Sequence, residues 1–517
     1  MVRDGRRTGE DSGLGGKEAI SGGRVFFAGS VGRFLLALLA MVIVCLRVFG
    51  DFGEDWRPSH FDEWRSLALA QRTVDSGVLA PEEPVGSPNG LARDIRDRNR
   101  SLGFVALVAY WLELAPQPIE GFKALAMAFL LLYAAGVYNL SRALGFRPWA
   151  ALLAMLSLGS LPTDSMLLGP GLAVPSSLSL GVLAMGLLAH LRLVLPSAKD
   201  RRAARVSWGL VLLGVCTLLA TVYPLTLIFL GALVSVDLAL RPGPRNVPYL
   251  LSAVVLGALG SVLFLIAEWQ GGILATVTHL EGLFWLDQRW HLVSLIVYTV
   301  DGLVAIPVLV LAFAGAALAL TQRSSFWLAA AFLGPLLALA GYHFWGVGLV
   351  IPYQRVGLFL AFGAALCTGF AVDRMLAVLE GRWGPRSWAA GMLVAVAGLV
   401  LALAPRPEPP FWRLARVERP SPALEAIAIH IKHAHGPPER VHAPPREAMF
   451  LEALTGLRAP VAALDALLTG SPPPELDCDA GWEVVVGDLS CPGYTKVFES
   501  GGVPVLRLAS PGIHEGR

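Results

Sequence analysis

Over most of this chain the hydrophobic positions neither alternate nor recur at helical spacing; they run together. Apolar stretches approach or exceed the ~20 residues that a helix needs to cross a hydrocarbon layer of ~30 Å. They are Ser30–Phe49, Ile119–Leu140, Trp149–Leu167, Leu172–Leu195, Val206–Val222, Leu225–Leu240, Tyr249–Ala267, Leu292–Leu318, Trp327–His343, Val356–Ala371 and Trp388–Leu403. This pattern predicts an all-α polytopic membrane protein of about eleven transmembrane helices. Val206–Leu240 divides into two short helices at Tyr223–Pro224, because proline lacks the amide that an uninterrupted helix would need there. Leu102–Ala115, fourteen residues, is too short to cross and is expected to be re-entrant or interfacial, with Tyr110 and Trp111 as belt residues.

The polar remainder fixes an orientation. Arg142 and Arg147; Lys199, Arg201, Arg202 and Arg205; Arg241 and Arg245; Arg323; and Arg374, Arg382 and Arg386 fall in alternate breaks between the runs. Basic breaks prefer the cytoplasm. Residues 1–29 are then a cytoplasmic tail, 30–404 a transmembrane domain with an external loop at 50–118, and 405–517 a linker and extracytoplasmic domain. The first run follows a basic tail and lacks a small-residue cleavage site, so it is expected to remain as a span. Prolines 405, 407, 409, 410, 420 and 422 stiffen the linker. Beyond it, helices are expected at Pro422–Ala434 and Glu447–Gly456, and strands at Glu483–Val486, Val497–Glu499 and Val503–Leu508, giving a small α/β module.

Composition sharpens the picture. Of 517 residues, 55% are hydrophobic and 15% charged, with a mean hydropathy of +0.60; soluble domains carry about 25% charge. The net charge of +2 comes without a basic tract, so no nucleic acid is expected as partner. Cys45, Cys216 and Cys367 lie within apolar runs, whereas Cys478 and Cys491 lie in the C-terminal domain, where an oxidising compartment would permit a disulfide.

Charge of both signs concentrates in the first external loop. Ser59-His60-Phe61-Asp62-Glu63-Trp64-Arg65 opens a segment in which Leu67, Ala70 and Val74 recur at helical spacing and Gly77 can stop the helix. An amphipathic helix on the membrane surface is expected, with Asp62 and Glu63 in its first turn. Acidic residues there complement the orphan amides and the helix dipole. They are also candidate catalytic carboxylates: Asp62 either holds a divalent cation, magnesium or manganese, or takes a proton from an acceptor hydroxyl. His60 is a neighbouring candidate. A second external break holds His279 and Asp287 among Trp269, Trp285 and Trp290, as candidate substrate-binding groups. Asp301 lies in the following run, where charge is usually paired or functional. A third break brings Tyr353 and Arg355 to the start of a helix. The planar fork of Arg355 suits a phosphate or pyrophosphate, although snorkelling to the interface would also place an arginine there. The histidines at 430, 433, 435 and 442 have no ligand spacing.

Phe61-Asp62-Glu63-Trp64-Arg65 with Gly77, the paired short helices at Tyr223-Pro224, and Arg355-Val356-Gly357-Leu358-Phe359-Leu360 together resemble the GT-C superfamily of integral membrane glycosyltransferases. The resemblance, which runs from Phe49 to Ala371, extends to oligosaccharyltransferase catalytic subunits and aminoarabinose transferases. It implies a GT-C-like fold in the plasma membrane and transfer of a sugar from a polyprenyl-phosphate donor to a glycan, lipid or protein acceptor of the cell envelope. Asp62 would be the activating acid or metal ligand. No Trp-Trp-Asp motif stands in the C-terminal domain, so transfer to asparagine is not implied, and Asp164 stands without a second acid beside it. A transporter or flippase of a lipid-linked substrate, or a non-catalytic membrane scaffold, is the alternative. A transporter predicts inverted repeats and polar midplane residues, which the sequence does not display.

Overall fold

The computed structural model describes residues 37–44, 61–77, 102–115, 117–158, 172–194, 202–240, 306–345, 353–383, 387–403, 421–434, 441–443, 484–486 and 494–508, with a few single positions besides. The helices are α1 Phe61–Ser76, α2 Leu102–Leu114, α3 Pro118–Ala143, α4 Pro148–Ser157, α5 Pro175–Val194, α6 Arg202–Val222, α7 Pro224–Leu240, α8 Ile306–Leu320, α9 Phe326–Trp345, α10 Tyr353–Trp383, α11 Ser387–Leu403 and α12 Pro422–Ala434. Proline opens α3, α4, α5, α7 and α12, where its missing amide would have had no intrahelical partner and its fixed φ suits the first turn. The expected break at Tyr223–Pro224 is therefore a helix boundary.

Among the described residues three helices, Pro118–Ala143, Pro175–Val194 and Val356–Arg382, are long and apolar enough to cross a membrane; α4, α6, α7, α8, α9 and α11 are shorter apolar helices. The chain is a multi-pass membrane protein. The expected number of eleven is not reached by that measure, and the expected run Tyr249–Ala267 lies almost wholly outside the described residues. Large apolar side chains stand exposed along Leu210 and Leu213 of α6, Val310 and Phe313 of α8, and Leu393, Val396 and Val400 of α11. So extensive an apolar surface on a folded chain marks contact with lipid.

Neighbour contacts give the directions. Gly136 of α3 meets Ala184 of α5, and Gly181 meets Leu132 and Tyr133, so α3 and α5 run in parallel. Tyr133 stacks on Phe362 and Phe146 packs on Phe370, so α10 runs the same way. Helix α10 is the axis of the bundle: its apolar window is wholly buried. Gly315 of α8 and Gly363 of α10 allow backbone-to-backbone approach, since a Cβ on either would clash with the carbonyl of Cys367 or Ala331 respectively.

Basic residues of different breaks meet at one end of the bundle. The Arg147 backbone N–H donates to Asp373 at 2.7 Å, and its guanidinium reaches Glu380 at 2.6 Å and Asp373 at 3.3 Å. Arg374 donates to Gln322 at 2.8 Å. The hydrogen bond to Glu380 raises the pKa of Arg147 above its ordinary value, and the Asp373 carboxylate adds to this. These pairs explain why α10 continues to Trp383, well beyond the expected end at Ala371. We refer to this end as the basic face and to the opposite end as the outer face.

Helix α2 lies along the outer half of α3 and against the end of α6. Trp111 Nε1 donates to the Gly121 carbonyl at 2.7 Å in the first turns of α3, while Gly103 lies against Thr221 in the last turn of α6. Its thirteen residues span ~20 Å, less than a bilayer core.

The C-terminal part forms a four-stranded sheet of order β1-β2-β4-β3, with β1 Val441–His442, β2 Val484–Val486, β3 Tyr494–Ser500 and β4 Val503–Leu508. β1 pairs parallel to β2; β4 pairs antiparallel to β2 and β3. Gly501 and Gly502, with φ of 56° and 80°, supply the left-handed pair that a two-residue hairpin turn requires. The Ser421 hydroxyl accepts the Leu424 amide at 3.2 Å and so starts α12 as expected. His430 of α12 stacks on Phe498 at 4.2 Å. All three expected strands are present, and β1 is additional. The expected helix Glu447–Gly456 falls mostly outside the described residues, as do Cys478 and Cys491.

Candidate active site

Helix α1 carries the acidic segment. It ends at Gly77, whose amide closes on the Thr73 carbonyl at 3.0 Å and whose φ of 66° is open to glycine without strain. Glu63, Ser66, Leu67 and Ala70 form a buried stripe at spacings of three and four. The expected apolar positions Leu67 and Ala70 are fully buried and Val74 half-buried, against the neighbouring α2 rather than on an open membrane surface.

Glu63 lies in that stripe and is itself 0% exposed. Its carboxylate accepts the backbone N–H of Ala173 at 2.8 Å. Ala173 stands two residues before α5, whose first turn is closed by the amides of Ser177 and Leu178 on the Val174 carbonyl. The acid therefore sits beside the positive end of α5. Because α5 is parallel to α3, this contact fixes the first turn of α1 at the outer face.

Tyr353 opens α10 and Arg355 follows in its first turn. Arg355 precedes the basic-face residue Asp373 by eighteen positions along one helix, a rise of ~27 Å. The first turns of α1 and α10 thus share the outer face. Asp62 is in α1 by its backbone; its side chain, those of Tyr353 and Arg355, and the whole of His60, His279, Asp287 and Asp301 lie outside the described residues. Among the described residues no three imidazole, thiol or carboxylate groups gather as metal ligands. Glu63, the acid next to Asp62, accepts the Ala173 backbone amide.

Two polar pairs were not anticipated. His190 of α5 and Asp237 of α7 meet at 2.9 Å, both buried. Ser179 and Thr226 meet at 2.8 Å, eleven residues earlier on each helix. Each residue sits inside an apolar run that reads only as a span. An ionisable side chain within such a run is the signal that could have singled out His190 and Asp237.

No protein-family model matches the sequence, and no curated protein matches it. Solved structures do match by fold. The Archaeoglobus fulgidus oligosaccharyltransferase tethered with an acceptor peptide containing the NVT sequon has a TM-score of 0.54 at 13% identity, covering 89% of this chain and 70% of that one. The archaeal oligosaccharyltransferase AglB from the same organism, in complex with an inhibitory peptide and a dolichol-phosphate, has a TM-score of 0.55 at 13% identity with the same coverage. Arabinofuranosyltransferase AftD from Mycobacteria has a TM-score of 0.50 at 15% identity, covering 93% of this chain and 40% of that one. Three structures of two different transferases thus share the overall fold of this chain.

Proposed function

We propose that this protein is a glycosyltransferase of the plasma membrane that transfers a sugar from a polyprenyl-phosphate donor to an extracytoplasmic acceptor with inversion at the anomeric carbon. One observation carries the reading: in a GT-C fold, the Glu63–Ala173 bond holds the acidic first turn of α1 on the face where Arg355 begins α10. In this scheme the N-terminus is cytoplasmic and the C-terminal domain extracytoplasmic, so the basic face meets the cytoplasm. A lipid-linked donor reaches the outer face through the membrane. One solved structure of this fold contains a dolichol-phosphate, which makes a lipid phosphate the reasonable leaving group here.

The acceptor oxygen attacks the anomeric carbon as its proton passes to the Asp62 carboxylate. The bond between that carbon and the phosphate oxygen breaks, and polyprenyl phosphate leaves with its bonding pair. Arg355 meets the developing phosphate charge, a contribution that grows in a water-poor site. Tyr353, His60, His279 and Asp287 are the proposed substrate-binding groups. A divalent cation at Asp62 is the alternative means of activating the acceptor; no donor set for it gathers among the described residues, and the step above needs none.

The test is turnover of dolichyl-phosphate-linked mannose and of a polyprenyl-phosphate-linked arabinofuranose by the purified protein, with Asp62→Ala as the comparison. Loss of at least ~100-fold in kcat is expected if Asp62 is the general base. Unchanged turnover in a folded Asp62→Ala protein rejects the assignment.

A further inference from the structure

We propose that Glu63 is a positioning residue: its buried carboxylate ties the first turn of α1 to the backbone at the entrance of α5 and thereby holds Asp62, one position earlier, in place to react. The inference rests on the reading of Asp62 as the reacting acid.

A glutamate in the first turn of a helix ordinarily bends back to its own helix, where it caps an orphan amide. Glu63 reaches outside its own helix. It reaches Ala173, 110 residues further along, at 2.8 Å, and does so with no exposure to solvent. The acceptor belongs to the only turn of α1 that carries two acids, and the donor belongs to the residues that lead into α5. Leu172, Ala173 and Val174 are themselves buried, so the donor is rigid. Successive positions of a helix stand about 100° apart, so Glu63 on the buried stripe and Asp62 occupy different sides of α1. One acid of the pair is thereby tied to the scaffold.

Two conservative variants separate positioning from chemistry. Glu63→Gln keeps the length of the side chain and an acceptor oxygen but removes the charge. Glu63→Asp keeps the charge but withdraws the carboxylate by one carbon–carbon bond, ~1.5 Å. A positioning role ranks Gln above Asp: turnover of the two lipid-linked sugars should stay within about threefold of the parent in Glu63→Gln. In Glu63→Asp it should fall about tenfold or more through kcat, with KM for the donor little changed. A general base or a metal ligand would rank them the other way. Hydrogen exchange at the Ala173 amide supplies a readout independent of turnover, with exchange about tenfold faster in Glu63→Asp than in the parent or in Glu63→Gln. Turnover lost in Glu63→Gln but kept in Glu63→Asp overturns the proposal, and so does Ala173 exchange unchanged by Glu63→Asp. If the parent protein turns over neither sugar, the glycosyl-transfer reading fails and the catalytic half of the proposal with it. Exchange at Ala173 then still decides whether Glu63 holds α1 to α5.

Discussion

The parallel helices α5 and α7 are joined by two polar pairs at a constant offset of forty-seven residues, and the two should differ in strength by several-fold. Ser179 and Thr226 share one hydrogen bond between neutral hydroxyls. Interhelical hydrogen bonds of this kind within membranes average about 0.6 kcal/mol, because each hydroxyl finds another partner when the helices part. His190 and Asp237 lie eleven residues further along, at 2.9 Å, with side chains 6% and 2% exposed. A hydrogen bond involving an ionised group contributes about 1.5–3 kcal/mol. Stranding one member of a buried pair can cost more still.

Asp237→Ala should therefore destabilise the protein by about 2–3 kcal/mol, and Asp237→Asn, which keeps an acceptor, by about 1 kcal/mol. Ser179→Ala should cost no more than about 0.6 kcal/mol. The assay is the unfolding free energy in detergent micelles by steric trapping, run as a double-mutant cycle with His190→Leu so that the pair's own coupling is isolated. A coupling of about 2 kcal/mol is expected for His190 with Asp237. A coupling below about 0.5 kcal/mol, or a Ser179→Ala cost equal to that of Asp237→Ala, would refute the assignment of the His–Asp pair as the stronger tie.

Other expectations follow from packing and from faces. Gly363→Leu forces a side chain into the Ala331 carbonyl on α9 and should cost about 3 kcal/mol or more, read as a lowered melting temperature in micelles; a melting temperature equal to the parent's would show that α9 and α10 can separate freely. Arg147→Ala should cost no more than about 1 kcal/mol, since its side chain is 35% exposed, whereas Asp373→Ala, which strands the Arg147 amide, should cost about 1–2 kcal/mol in the same assay. A membrane-impermeant thiol reagent applied from outside intact cells should label Leu114→Cys and leave Gly381→Cys untouched; the opposite pattern would invert the proposed orientation. Ser421→Ala should cost about 1 kcal/mol in the unfolding of the C-terminal domain, with no change taken as evidence against the N-cap.

What could be seen in the sequence was whatever depends on local chemistry. Pro224 announces the division between α6 and α7 because its ring cannot donate an amide, and the arginines of alternate breaks announce which helix ends belong together. Leu67 and Ala70 announce the buried side of α1. The partner of Glu63 could not be seen, because a backbone amide 110 residues away has no signature in composition or spacing. The extension of α10 past Ala371 was equally hidden: Asp373 and Glu380 look like the end of a span until Arg147 is known to face them.

Helix lengths also account for how Glu63 of α1 comes to be buried. Ser179 is bonded to Thr226, and two residues beyond Ser179, Gly181 abuts Leu132 of α3. The turn between α6 and α7 therefore lies near the level of residue 130 of α3, a helix that begins at Pro118. A difference of twelve residues is a step of ~18 Å. Helix α2 occupies that step: Phe104 packs on Phe129 with ring centroids 5.9 Å apart, Gly103 rests on Thr221, and Trp111 bonds to Gly121 near the top. Helix α1 then lies against α2. Paired short helices thus create the shelf on which α2 and, against it, α1 rest, and lengthening α6 and α7 by a turn each would push α2 off it. The depth of the acidic turn is set by two helices that contain no acidic residue near it.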